Sequence, residues 1–390
     1  MSGRKASLSD NAGNVALMDV VDFPDELLPP GIRSRFVANV NGLRMHILEA
    51  GYETGDRPVV LLLHGFPELA WSWRKVMPAL AAAGFHVVAP DQRGYGRTTG
   101  WDGAYDGDLA SFRALNLVQD LLDLVFALGN RHVRAVVGHD FGSPIAAHCA
   151  LIRPDVFTSL VMMSAPFGGP PPAGAAPAQQ ADIHSALAGL TPARKHYQWY
   201  YSTRQADGDM LNAPQGLHAF LRAYYHVKSA DWPGNQPHPL RAWSAEELTR
   251  LPPYYVMPAE AGMAETVAPY MPSEAEIAAC SWLTEPELDV SCAEFARTGF
   301  QGGLQWYRCL TSGLAAADLR LFAGCTINVP ATFIAGAADW GTYQSPGLFE
   351  RLDRACTDLR GRHLVAAAGH WVQQEQAPAV SELLRDFLAH

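Results

Sequence analysis

The residues in this chain whose types and spacing could do chemistry begin with Gly138-His139-Asp140-Phe141-Gly142. A short apolar, β-branched run from Val133 precedes them, and a helical pattern from Ser143 towards Ile152 follows at once. Strand, sharp turn between small residues, then helix is the setting of a nucleophile elbow, whose central side chain is usually serine. Here it is Asp140. A carboxylate cannot begin acyl transfer as a serine does, but it can attack a saturated electrophilic carbon and become an ester. An elbow nucleophile also needs an acid and a histidine later in the chain. Of 14 histidines, His370 in Gly369-His370-Trp371 lies just past the last expected strand and ahead of the terminal helix. Asp339 follows the strand before it, in Gly336-Ala337-Ala338-Asp339-Trp340, and would hold His370 in one tautomer and stabilise its cation. The strand earlier still ends in Ser164-Ala165-Pro166-Phe167-Gly168, with no carboxylate. Backbone N–H groups at Phe141, directly after the nucleophile, and at Phe66 are placed by position for an oxyanion site.

The elements that must hold these groups are legible as alternation. Arg35 to Val40 and Leu43 to Ala50 flank Asn41-Gly42, a two-residue hairpin signal because both turn positions need positive φ. Val59 to Leu63 is a solid apolar run, as a central parallel strand requires, and ends in His64-Gly65-Phe66-Pro67-Glu68. A helix with Trp71, Trp73, Val76 and Leu80 stops at Gly84. Phe85 to Ala89 then leads to the Asp91–Gly96 turn, and an amphipathic helix carries Leu115, Val118, Leu122 and Val125. After the elbow come Leu160 to Met163, then Ala331 to Gly336, His363 to Ala367 and a helix from Val380 to Leu388. Strand–helix alternation predicts an α/β architecture, a parallel doubly wound sheet with helices on both faces. Gly168 to Gln180 reads as a linker, and the mostly helical, aromatic-rich stretch after it as an inserted cap. The expected domains are an arm at 1–30, a core at 31–167 and 315–390, and a cap at 168–314.

Composition narrows the class. Across 390 residues, 48% are apolar and 17% charged, which supports a large core. A net charge of −10 spread along the chain argues against nucleic acid as a partner. No apolar run approaches the ~18 residues of a membrane span. Arg4 and Lys5 lead into no apolar segment, so no secretory signal is expected and a cytoplasmic location is the default. The six cysteines show no metal-ligand spacing and read as reduced packing thiols. No cofactor or metal is implied, and oligomeric state leaves no mark.

By itself the elbow aspartate leaves epoxide, haloalkane and haloacid chemistry open. His64-Gly65-Phe66-Pro67, the Gly138–Gly142 elbow and Gly369-His370-Trp371 together resemble the soluble epoxide hydrolases of the α/β-hydrolase fold. The resemblance runs from about Arg57 to the C-terminus, more weakly in mid-cap. It implies a cis peptide before Pro67, Asp140 as alkylating nucleophile, His370 as water-activating base and Asp339 as its partner. In that family two cap tyrosines meet the epoxide oxygen. One lies in a Tyr-Gln motif that Tyr197-Gln198 resembles. The other lies in a motif that Gly299-Phe300 through Trp306-Tyr307-Arg308 resembles. An ether oxygen is a poor leaving group, so donors that stabilise the forming alkoxide are needed. Most of the other tyrosines, among them the pairs at 200–201, 224–225 and 254–255, are expected in packing. The implied partners are a small hydrophobic epoxide and water. The alternatives are a dehalogenase with the same nucleophile, or a non-catalytic binding protein of this fold. Phe141 lacks the side-chain halide donor that haloalkane and fluoroacetate enzymes carry after the nucleophile, and the tyrosines would have no work there. A binding protein would be expected to lack a triad member.

Overall fold

Among the described residues ten strands run β1 (Ile32–Val40), β2 (Leu43–Ala50), β3 (Val59–Leu63), β4 (His86–Pro90), β5 (Ala135–His139), β6 (Leu160–Met163), β7 (Arg194–His196), β8 (Val256–Pro258), β9 (Ala331–Gly336) and β10 (Leu359–Val365). The structure, a computed structural model, describes residues 23–174 and 182–390; most of the N-terminal arm and the middle of the expected linker lie outside the described residues. Eight strands form one sheet in the order β1-β2-β4-β3-β5-β6-β9-β10, in which β2 alone runs against the rest. The Asn41-Gly42 turn joins β1 to β2 with φ of 49° and 79°, as a primed hairpin turn requires. β3, β5, β6 and β9 are buried along their whole length, which explains their unbroken apolar sequences.

Several boundaries differ from the sequence expectation. β1 begins at Ile32 rather than Arg35. The expected helix from Trp71 to Leu80 is a 3₁₀ turn (Ala70–Trp73) followed by a helix over Met77–Ala82. The last strand is Leu359–Val365, not His363–Ala367, because it is an edge strand with alternating Arg360 and Arg362 that lacks the apolar run of an interior strand.

From β3 the chain moves outward to β4 on one side and returns to β5 on the other. The crevice between the carboxyl ends of β3 and β5 is therefore a topological switch point, where open α/β sheets bind ligands. Phe66 and Asp140 flank it.

Over this edge lies the segment between β6 and β9. It is mostly helical, as expected, but also contains the antiparallel ribbon β7–β8. It docks by close backbone approach and by ion pairs. A Cβ on Gly302 would stand 2.0 Å from Gly94 O, so the Gln301–Thr311 helix meets the Asp91–Gly96 turn backbone to backbone. Trp306 Nε1 donates to Arg93 O at 3.0 Å beside this contact. Arg74–Glu287 (3.0 Å) and Arg97–Glu294 (2.8 Å) tie down the Glu285–Thr298 helix. No helix among the described residues is long and apolar enough to cross a membrane.

Candidate active site

The elbow is built by exclusion of side chains. Asp140 has φ +51°, a conformation L-residues rarely adopt and one that thrusts the carboxylate away from the strand. A Cβ on Gly138 would lie 2.1 Å from Gly142 O, and one on Gly142 would lie 2.5 Å from Leu63 O. Glycine at 138 and 142 is what lets the Gly142–Ile152 helix start so close to β3 and β5. Gly65 is equally constrained, because a Cβ there would strike the Asp140 side chain at 2.4 Å.

Around Asp140 the expected partners converge. Its Oδ1 accepts the Phe66 N–H at 3.0 Å, and the Phe66–Pro67 peptide is cis. Phe141 stands at the start of the following helix, but no hydrogen bond from its N–H to the carboxylate is found among the described residues. On the other oxygen, Oδ2 lies 3.4 Å from His370 Nε2. This contact falls short of hydrogen-bond geometry, and Nε2 has no hydrogen-bond partner among the described residues. His370 Nδ1 faces Asp339 Oδ1 at 3.0 Å and Ser164 Oγ at 2.9 Å. Asp339 is buried and also accepts from Gly341 N–H (2.7 Å) and Ser164 Oγ (2.5 Å). With Nδ1–H committed to that carboxylate, Nε2 is the nitrogen that faces Asp140: it presents N–H to the carboxylate when the ring is charged and a lone pair when it is neutral.

Ser164 is a residue the sequence reading passed over. Its position, where an acid is absent after β6, was the available signal. A second buried pair was also missed. His139 Nδ1 faces Glu68 Oε2 and its Nε2 faces His370 O, both at 2.7 Å. With acceptors on both nitrogens the ring holds both protons. Burial opposes that charge, but Glu68 outweighs it and raises the His139 pKa; Glu68 in turn is lowered, His139 overcoming its own burial. Gln373 and Gln374 complete the pair through Glu68 Oε1 (2.9 and 3.0 Å).

These charges set the state of Asp140. Burial alone would raise its carboxyl, but His370, Lys228 and His139 together hold it below the usual carboxylate range. Asp339 behaves likewise, with His370, Ser164 and the Gly341 N–H outweighing burial. Lys228 is itself buried, its ammonium 5.1 Å from the Trp371 ring and 5.2 Å from the Tyr224 ring. Asp140 is thus ionised at neutral pH although only 13% of its side chain is exposed.

That exposed edge opens on a cavity of about 340 Å³ lined by Asp140, Phe141, Tyr197, Gln198, Trp306 and Tyr307. Its far wall is apolar, with Phe112, Leu117, Ile145, Phe167 and Leu319. Tyr197 and Tyr307 come from two cap helices, their rings 6.0 Å apart. Burial, reinforced by the Asp140 charge, pushes both phenols well above their ordinary pKa, so both remain donors. They differ in commitment. Tyr197 OH donates to Gln344 Oε1 at 3.1 Å and accepts from Gln198 Nε2 at 3.3 Å. No hydrogen bond engages the Tyr307 hydroxyl among the described residues, its carbonyl alone accepting from Thr311. The other paired tyrosines behave as expected of packing residues. Tyr201 OH meets Tyr224 OH, Tyr225 OH donates to Pro67 O and Tyr254 OH to Asn235.

A sequence-family model for the alpha/beta hydrolase fold matches residues 58–256. Epoxide hydrolase B of Mycobacterium tuberculosis is 34% identical over 367 residues, covering 90% of this chain and 97% of that protein. Epoxide hydrolase A of the same organism is 34% identical over 372 residues, covering 92% and 98%. Among solved structures, an epoxide hydrolase from an endophytic Streptomyces superposes with a TM-score of 0.74 at 32% identity, covering 93% of this chain and 96% of that one. Epoxide hydrolase A from Mycobacterium thermoresistibile gives 0.72 at 32% identity, covering 92% and 98%. The chain belongs to the epoxide hydrolases of the α/β-hydrolase fold and is a hydrolase.

Proposed function

We propose that the protein converts an apolar epoxide and water to a vicinal diol in two steps at Asp140. Asp140 Oδ1 rests on the Phe66 N–H, so Oδ2 is the attacking atom. It bonds to an epoxide carbon from the side opposite the ring oxygen, and the C–O electron pair passes to that oxygen. Tyr307 and Tyr197 hydrogen-bond the alkoxide as it forms and supply its proton. In the second step His370 Nε2 takes a proton from water, which attacks the ester carbonyl carbon. Negative charge then collects on Oδ1, where the N–H groups of Phe66 and Phe141 receive it; losing one such donor costs on the order of 10²–10³ in rate. Collapse breaks the bond from the carbonyl carbon to the diol oxygen and His370 passes its proton to that oxygen. The second water proton, left on the new Asp140 hydroxyl, returns to the phenol that gave up its own in the first step, so Asp140 is regenerated as a carboxylate with one oxygen from water. Asp339 keeps His370 in the right tautomer throughout.

The observation that carries this reading is the single cavity that joins a carboxylate nucleophile, with a histidine–aspartate pair behind it, to two protonated phenols above it. The apolar far wall supports a hydrophobic substituent on the epoxide. The reading also divides the chain much as the sequence suggested, with 31–167 and 315–390 as the catalytic core and 168–314 as the cap that supplies the phenols; of the expected arm, Phe23 packs on the core against Trp71 at 5.3 Å. A dehalogenase would leave both tyrosines idle and would find no side-chain halide donor at Phe141.

The test is to trap the ester. His370→Gln incubated with a styrene-type epoxide should gain the mass of the epoxide on the peptide containing Asp140. An unmodified protein under saturating epoxide would contradict the two-step scheme.

A further inference from the structure

One carboxylate beside the site takes no part in the reaction above. Glu375 lies in the Val372–Glu375 helical turn after His370, and it accepts three backbone N–H groups. Its Oε2 accepts from Gly369 and from Ala230, both at 2.8 Å, and its Oε1 from Trp371 at 2.9 Å. Gly369 and Trp371 flank His370 directly. Ala230 belongs to the chain just past the Leu217–Lys228 cap helix. The same junction holds the His370 N–H on Lys228 O and the Trp371 indole N–H on Tyr225 O, each at 2.9 Å. A Cβ at Gly369 would stand 2.5–2.6 Å from the backbone of Lys228 to Ala230, so loop and cap meet with no side chain between them. Burial pushes the Glu375 carboxyl up to about 8 against the pull of its three N–H partners, with Asp231 adding to the rise. A strongly perturbed carboxyl that touches both neighbours of a catalytic histidine is a functional-site candidate with a stated cause.

We propose that Glu375 is a positioning residue for ester hydrolysis: by pinning Gly369 and Trp371 to the cap chain at Ala230, it keeps His370 Nε2 at its station beside Asp140. The inference rests on the two-step reading above. Alkylation is carried by Asp140 and the cap tyrosines and makes no demand on the imidazole as a base. Loosening the loop therefore slows the second step and spares the first, a split that a general loss of structure would not produce. A displacement of about 1 Å at a catalytic group costs on the order of a hundredfold. An amide at 375 keeps one acceptor but turns N–H donors towards N–H donors, so a smaller part of that loss is expected.

The experiment is single-turnover kinetics on Glu375→Gln and Glu375→Asp, timing ester formation and ester breakdown separately by quench and mass spectrometry, with thermal midpoints alongside. In Glu375→Gln, breakdown should slow about tenfold or more while formation stays within about twofold, and Glu375→Asp should recover part of the loss. Breakdown within twofold of wild type, or formation slowed by the same factor as breakdown, overturns the proposal. Should Glu375→Gln not fold, the same criteria apply to Glu375→Asp. His370→Gln run in parallel separates the two failures. If it traps the ester, a normal Glu375→Gln sinks only the positioning role; if it traps none, the two-step scheme falls and the positioning role with it.

Discussion

Replacing Tyr307 by Phe removes one oxygen and little else. Its ring packs edge-on against Phe141 (4.9 Å) and Phe66 (5.4 Å), and a phenylalanine keeps both contacts. Stability should therefore hold while the donor is lost. A hydrogen bond to a charged group is worth about 1.5–3 kcal/mol, and the Tyr307 hydroxyl gives up no existing bond to make one. At 1.36 kcal/mol per tenfold, a loss of about 2 kcal/mol slows ring opening roughly thirtyfold. Tyr197 is in a different position. To donate to the alkoxide it must leave Gln344, so its net gain is one bond exchanged for another. Tyr197→Phe should accordingly cost about 1 kcal/mol, or roughly fivefold. Stopped-flow tryptophan fluorescence under excess enzyme reads this step, since Trp306 lines the cavity beside Tyr307. A Tyr307→Phe rate within about threefold of wild type, or a larger loss in Tyr197→Phe than in Tyr307→Phe, refutes the reasoning from hydroxyl commitment.

Two further outcomes follow from the frame around the site. Glu49 is buried in β2 between Arg33, Arg35 and His86; burial would raise its carboxyl, but these partners hold it down to about 2. A carboxyl lowered on folding contributes stability that is complete above the unfolded value, near 4.5, and lost as pH falls towards 2. Because both arginines are about 40% exposed, screening reduces the contribution to about 2 kcal/mol. Glu49→Gln should lower the urea midpoint at pH 7 and flatten its fall between pH 4.5 and 2; an unchanged pH slope would count against this assignment. Gly302→Ala puts a methyl group 2.0 Å from Gly94 O, and overpacking of this kind costs about 1–3 kcal/mol. Both the thermal midpoint and turnover should drop, because the displaced helix carries Tyr307; wild-type values for both would show that the contact yields freely.

Much of this was legible in the sequence where local physics leaves few options. The Gly138–Asp140–Gly142 turn reads as an elbow because crossing from a buried strand into a helix at that point leaves no space for a Cβ. The Asn41-Gly42 hairpin and the apolar runs of β3, β5 and β9 are equally local. What escaped depends on approach in space. Ser164 looks like any small polar residue until β6 and β9 lie side by side and bring it to Asp339. Glu68 and His139 are 71 residues apart, and only the switch-point crevice makes them a pair. Glu375 resembles an ordinary helix glutamate until the cap chain closes on it. The β7–β8 ribbon is three residues a side, too short for a period-two pattern to stand out from the helices around it.

The central claim is that the new diol oxygen comes from Asp140 and not directly from water. It is tested by one turnover with enzyme in excess over epoxide in H₂¹⁸O. The two-step account predicts an unlabelled diol from that turnover and ¹⁸O in the peptide containing Asp140. Label in the diol of the first turnover, with Asp140 unlabelled, would contradict it.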